Sequence, residues 1–226
     1  MSQGVVQRVE DTIGAPRQLS GQLLDAAVRY AEERHWDVLP GSWLDIPAGG
    51  APRCSCSAPD CPAAGAHPTR PDWAAQASGD TAVLREMWRR QPLSSVLLPT
   101  GRAFDAIDVP ESAGFLALAR LDRMQLPLGP VISTPARRLA FFVLPGATRK
   151  VPELLRALGW PAGTLDMVVR GEGDWVAAPP TRMGTGGSVQ WARRPTEFNR
   201  WLPDSRELMN PLAYACGRDV VAARAR

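Results

Sequence analysis

The stretch Thr100–Gly114, TGRAFDAIDVPESAG, restricts the possible folds more than any other part of the chain. Gly101 marks a turn, Ala103–Val109 is a short apolar run of strand type, and Pro110 stops it. Glu111 then opens an amphipathic helix over Ser112–Met124. A strand that runs straight into a helix places Asp108 near its own C-terminal end. A carboxylate there either caps the following turn or helix, or holds a metal ion. Asp105 stands three residues earlier, and odd spacing along a strand sends two side chains to opposite faces. Asp105 and Asp108 are therefore not expected to share an ion.

The remaining pattern predicts helices at Leu19–His35, Asp80–Arg90, Val151–Trp160 and Ser205–Cys216, the last broken at Asn210–Pro211. In the second of these, Val83, Leu84 and Met87 share the apolar face. Strands are expected at Trp36–Pro40, Ser94–Pro99, Pro130–Thr134, Leu139–Leu144 and Val189–Trp191. Ser94–Pro99 should pair with the run around Asp108 through the Thr100–Gly101–Arg102 turn. Thr164–Val169 and Asp174–Ala178 should form a hairpin across Arg170–Gly173. Hairpins with helices between them read as α+β, with a mixed or antiparallel central sheet and flanking helices. One domain is expected over 18–216, after a loose arm at 1–17 and before a tail at 217–226.

Between the first helix and Asp72 lies a long stretch, 41–72, rich in Pro, Gly, Ala and Ser. A connection of that length is either disordered or held by something. It contains Cys54, Cys56, Cys61 and His67 in the pattern C-x-C-x4-C-x5-H. Three of the chain's four cysteines and one of its two histidines fall in this segment, which has no apolar core of its own. Three thiolates and one imidazole suit tetrahedral zinc, and four protein ligands close the shell, so the expected ion is structural. Cys216 stands alone and reads as a packed thiol.

At 226 residues the chain can bury a real core. A net charge of +3 does not by itself mark a nucleic-acid binder. Lys150 is the only lysine, so nearly all positive charge is arginine, which suits bidentate contacts but also follows from a GC-rich coding bias. No apolar run reaches the roughly 20 residues of a membrane span, and the polar N-terminus has no signal-peptide core. A cytoplasmic protein is expected, with its cysteines reduced or bound to metal rather than in disulfides.

Several segments in fixed order match one family: HP at 67–68, PDWA at 71–74, LLPTGRAFDAIDVP at 97–110, STPARRLAFFVLPG at 133–146 and LDMVVRGEGDWVAAPPT at 165–181. Over about residues 20–215 the chain resembles the primase–polymerase (Prim-Pol) domain found at the N-terminus of bifunctional DNA primase/polymerases. This domain belongs to the archaeo-eukaryotic primase superfamily, and the resemblance is to the actinobacterial variety. It implies an RRM-like catalytic sheet beside an N-terminal α/β unit. It further implies template-directed nucleotidyl transfer with Mg or Mn held by three acidic positions.

Asp108 matches the first of those acids and Asp166 the third. The second falls on Pro110, which has no ligating side chain; Glu111, one residue on, is the candidate replacement. The family's nucleotide-binding histidine has no counterpart in Ala136–Leu139, where Arg137 and Arg138 are the candidate phosphate ligands. Arg182, after Pro179–Pro180, matches a loop near template or nucleotide. The implied partners are nucleotides, a DNA or RNA primer–template and a helicase or other replication partner acting in trans. Two readings follow. One is an active primase/polymerase domain, and the other is a catalytically degenerate binding or regulatory protein. A zinc-stabilised interaction domain unrelated to nucleotides is a third.

Overall fold

The computed structural model describes residues 3–47 and 50–224, and only the backbone for 3–17 and 222–224. Among these residues the chain is mixed α+β, with five α-helices and twelve short strands. In order they are α1 (Gln3–Arg34), β1 (Leu39–Gly41), β2 (Leu44–Asp45), β3 (Arg53–Cys54), α2 (Thr81–Arg90), β4 (Ser95–Pro99) and β5 (Asp105–Pro110). There follow α3 (Glu111–Arg123), β6 (Val131–Thr134), β7 (Arg138–Val143), α4 (Ala147–Ala157), β8 (Val168–Arg170) and β9 (Trp175–Ala177). The last are β10 (Arg182–Met183), β11 (Gly187–Ser188), β12 (Gln190–Arg193) and α5 (Ser205–Arg224). Among the described residues no helix is long and apolar enough to cross a membrane.

The chain divides into two compact units, Met1–Leu98 with Ala177–Gly186, and Pro99–Val176 with Gly187–Arg226. In the first, α1 buries Leu23, Ala27, Tyr30 and Ala31 at helical spacing and packs against α2. The predicted helix at 19–35 is the C-terminal part of α1, whose backbone extends back through the stretch expected as an arm. Asp80 caps α2 by accepting from the Ala82 and Val83 amides at 2.7 and 3.2 Å. The face that α2 buries is Leu84 and Trp88; Val83, expected on it, is exposed. Trp88 donates its indole N–H to the Ser94 carbonyl, and β1 pairs antiparallel with β4, which is buried up to Leu98.

The second unit is built on an antiparallel sheet of order β12-β6-β7-β5-β8. Period-2 alternation sends Ile107 and Val109 of β5 and Leu139, Phe141 and Val143 of β7 to one face. There they pack with Ala113, Ala117 and Leu121 of α3 and Leu208, Leu212 and Ala215 of α5. Each large aliphatic side chain buried this way contributes about 1.5–3 kcal/mol. The fit leaves little slack: a Cβ on Gly114 of α3 would stand 2.7 Å from the Leu139 Cβ.

Three expectations differ, two of them strand pairings and one a helix break. β5 pairs with β7 and β8 rather than with β4. The Thr100–Gly101 turn packs instead against the 171–174 turn. Thr100 bonds to Gly171 and Asp174 at 2.6 and 3.0 Å, and Gly101 (φ +97°) lies so close to Glu172 that a Cβ would stand 2.4 Å from its Cα. β8 pairs with β5 and so forms no hairpin with β9. Finally, α5 continues through Pro211 to Arg224, past the expected break and into the stretch expected as a tail. A proline inside a helix costs about 3 kcal/mol. Here Leu208, Met209, Leu212, Ala213, Ala215 and Cys216, all fully or almost fully buried, outweigh that cost.

Candidate functional site

Two clusters of ligating side chains stand out, one in each unit. In the first, the β2–β3 hairpin pairs Leu44 with Cys54 and so fixes one cysteine on a strand. Ser42 and His67 clamp the far end, by Ser42 N–H to the His67 carbonyl (2.8 Å) and His67 N–H to the Ser42 hydroxyl (3.1 Å). The loop between them returns its side chains inward. The ligand atoms of Cys54, Cys56, Cys61 and His67 all lie within 4.8 Å of one another.

His67 is oriented by its neighbour. Its Nδ1 stands 2.7 Å from the Pro68 carbonyl, which can only accept, so Nδ1 carries the proton and the Nε2 lone pair faces the thiols, 3.4 Å from Cys54 Sγ. Burial pushes the Cys54 thiol up, but hydrogen bonds from the Cys56 and Gly65 backbone and from Ser42 outweigh it and hold it at about 6. Cys61 shifts the opposite way, to about 11, chiefly by burial. Thiolates 2.3 Å from a tetrahedral zinc stand about 3.8 Å apart, so closing this cluster onto an ion takes a contraction of about 1 Å. The donor set fits such an ion.

The second cluster lies on the sheet face opposite α3 and α5. Asp108 (β5) is buried and both of its carboxylate oxygens accept from arginine. One oxygen accepts the Nε–H of Arg138, and the other accepts from Arg170 Nε and Nη2 at 3.2 and 3.0 Å. Arg138 also donates from Nη1 to both oxygens of Asp166, at 2.9 and 3.0 Å, and from Nη2 to the Asp108 carbonyl at 3.1 Å. Burial disfavours the Arg138 charge, but Asp108 and Asp166 more than offset it and raise its affinity for the proton.

Strand register explains the convergence. Arg138 stands directly across from Pro110, on the face that carries Asp108. Arg170 stands across from Ala106 on the same face. Continued past Val168, the β5–β8 register would set Asp166 beside Pro110.

The structure therefore brings Asp108, Asp166 and Arg138 together. Glu111 opens α3 next to them, and its carboxylate is 3.3 Å from Arg137, whose side chain is largely exposed. Arg182 is an exposed residue of β10 in the first unit. Asp105 points away, as its parity requires, and its Oδ2 accepts the Gly146 and Ala147 amides at the start of α4 (2.9 and 2.7 Å). Arg170 was not singled out in the sequence. The available signal was its even spacing from Asp166 and Val168, which puts it on the face of Asp108 once β8 pairs with β5.

Divalent ions do not fit this second cluster as it stands. Two carboxylates and two guanidinium groups balance in charge, and every carboxylate oxygen already accepts a charged donor. An ion entering here would compete with arginine at both acids.

A family model for the N-terminal domain of bifunctional DNA primase/polymerases (Prim-Pol) matches residues 27–201. No curated protein matches the chain.

Proposed function

The chain belongs to the Prim-Pol family, and from that premise we propose that it is a catalytically silent member, one that binds nucleotide or nucleic acid without polymerising it. The observation that carries this reading is Arg138, which ties Asp108 to Asp166 where the family resemblance calls for metal ions. Two-metal nucleotidyl transfer needs carboxylate oxygens free to coordinate from both sides. Here those oxygens hold guanidinium, and the remaining acid position is Pro110. The five-stranded antiparallel sheet with helices on one face supports the RRM-like architecture of the archaeo-eukaryotic primases. In the first unit the Cys54, Cys56, Cys61 and His67 set would hold zinc, chosen over other ions by its three thiolates. That zinc would tie down a segment with almost no core of its own.

One observation favours the second reading, an active primase/polymerase. Asp108 and Asp166, which match the first and third acids of the family, do converge on one guanidinium. In that reading Arg137, Arg138 and Arg170 would turn to triphosphate oxygens as bidentate donors, and Glu111 would stand in for the missing acid.

Primer extension with Mg or Mn and labelled dNTPs separates the two, run beside an Asp108→Ala/Asp166→Ala variant. The expected result is no incorporation above the variant. Incorporation that disappears with the two acids would overturn silence and establish the polymerase.

A further inference from the structure

The segment after β12 has no role in either cluster, yet it presents the most exposed aromatic residues among those described. Phe198 is 101% and Trp201 89% exposed, in a protein whose other phenylalanines, Phe115 apart, are fully buried. Side chains of this size normally bury 150–250 Å². The turn that carries them is built. Thr196 and Asn199 form a reciprocal capping box around the 3-10 turn Glu197–Asn199, and the buried Asn199 donates to the Arg194 carbonyl at 2.8 Å. Phe198 therefore sits on a fixed support rather than a loose loop, and Trp201 follows two residues after the turn ends.

Beside the turn is a cavity of about 410 Å³, floored by Leu126, Pro127 and Leu128 and walled by Phe198, Arg193 and Arg194. That volume takes one nucleotide. Residues 193–201, RRPTEFNRW, hold three arginines and one glutamate. Arg193 donates from Nη1 to Asp122 at 3.2 Å, while its buried Nε finds no partner among the described residues. β12 lies three strands from β5 in the sheet, about 14 Å at ordinary strand spacing. The place is thus separate from the Asp108 cluster.

We propose that this turn is a docking site for single-stranded nucleic acid, with bases stacking on Phe198 and Trp201 and phosphates held by Arg193 and Arg194. Exposed aromatics on a rigid support beside guanidinium groups are the combination that holds single strands without reading sequence, because every base offers a π face. A duplex keeps its bases stacked inside and offers the aromatics nothing. A bilayer surface would favour a convex apolar face over a base-sized hollow with arginine in its wall. The inference rests on the proposed nucleic-acid binding and names where on the chain a strand is held.

The test is fluorescence anisotropy of the full chain with a labelled 20-nucleotide oligo-dT, an abasic oligomer of equal length and a blunt duplex. Phe198→Ala/Trp201→Ala and Arg194→Ala are the variants; all three side chains are exposed, so the fold is not at stake. The aromatic pair should account for at least a tenfold loss of oligo-dT affinity, with the salt dependence unchanged. The abasic oligomer should bind the unaltered chain as weakly as oligo-dT binds the double variant. Arg194→Ala should instead flatten the dependence of log affinity on log salt by about 0.7.

Unchanged oligo-dT affinity in the double variant would overturn the site while leaving nucleic-acid binding by the chain intact. No binding by the unaltered chain would overturn both. Binding to vesicles of four parts phosphatidylcholine to one part phosphatidylglycerol that needs Phe198 and Trp201, without oligo-dT binding, would overturn the site in favour of a membrane surface.

Discussion

The two ligand clusters are alike in one respect and opposite in another. Each brings ligating side chains to within ion-binding reach, the first from one short segment and the second from three strands of the sheet and their ends. Around Cys54 the chain supplies only donor atoms and the hydrogen bonds that orient them. Around Asp108 it supplies the cations as well, as Arg138 and Arg170. The lesson is that convergence of ligands does not define a metal site. What decides is whether their charge has already been neutralised from within the protein.

The largest expected effect comes from breaking the first half of that contrast. If the thiol cluster is completed by an ion, purified protein should contain one zinc per chain, and chelation should remove an interaction on the order of 10 kcal/mol. Metal analysis with thermal melts before and after a strong chelator reads this directly; a melt that does not move would place the cluster beside the Asp108 site as self-sufficient. The same ion should leave on acidification. Cys54 holds its proton less tightly in the fold than its ordinary value of 9, at about 6. Its thiolate contribution is thus complete above about pH 9 and lost as pH falls through about 6. That window belongs to the ion-free thiol; a bound zinc would lower it further, so release followed with a chromogenic chelator should need a pH below about 6.

Next in size is the loss of Asp108. Asp108→Ala strands Arg170 and half of Arg138 in a mostly buried setting, and removing one member of such a pair costs about 3 kcal/mol. Urea unfolding should show it. A loss near zero would mean that the arginines are already solvated and that the acid is available to a ligand.

The smallest effect on stability, and the sharpest on the comparison, belongs to Arg138→Gln. Asp108 keeps Arg170, while the exposed Asp166 returns to water, so folding should change by only about 1 kcal/mol. The freed carboxylates should then take up Mn that the unaltered chain does not, detectable by loss of the free-Mn resonance signal. Equal Mn binding in both proteins would show that the guanidinium is no barrier.

Much of this was legible in the residues. The Cys/His cluster could be read because its ligands crowd one short segment lacking a core, so spacing alone carried the information. The β5–α3 junction was equally plain, since Gly101, Pro110 and the apolar run fix it locally. The fate of Asp108 could not be read the same way. Its partners come from β7 and β8, thirty and sixty-two residues on, and the sequence suggested β4 as the strand beside it. Without the β5–β7 register nothing says that Arg138 faces an acid rather than solvent. Pro211 misled for a related reason: local propensity argued for a break, and burial of both flanking turns prevailed.

If the chain is silent as proposed, Pro110 constrains any return to a metal-binding site. Restoring a carboxylate there would set it directly across from Arg138, on the same face of the sheet. The new acid would meet a waiting cation and become a third partner for the guanidinium before it could become a ligand. No single substitution leads back; the arginine must go as well, and losing it first leaves acids crowded together with nothing to hold. On the silent reading proposed above, the proline and the arginine would thus hold each other in place, and the sheet face would be open to work other than metal chemistry.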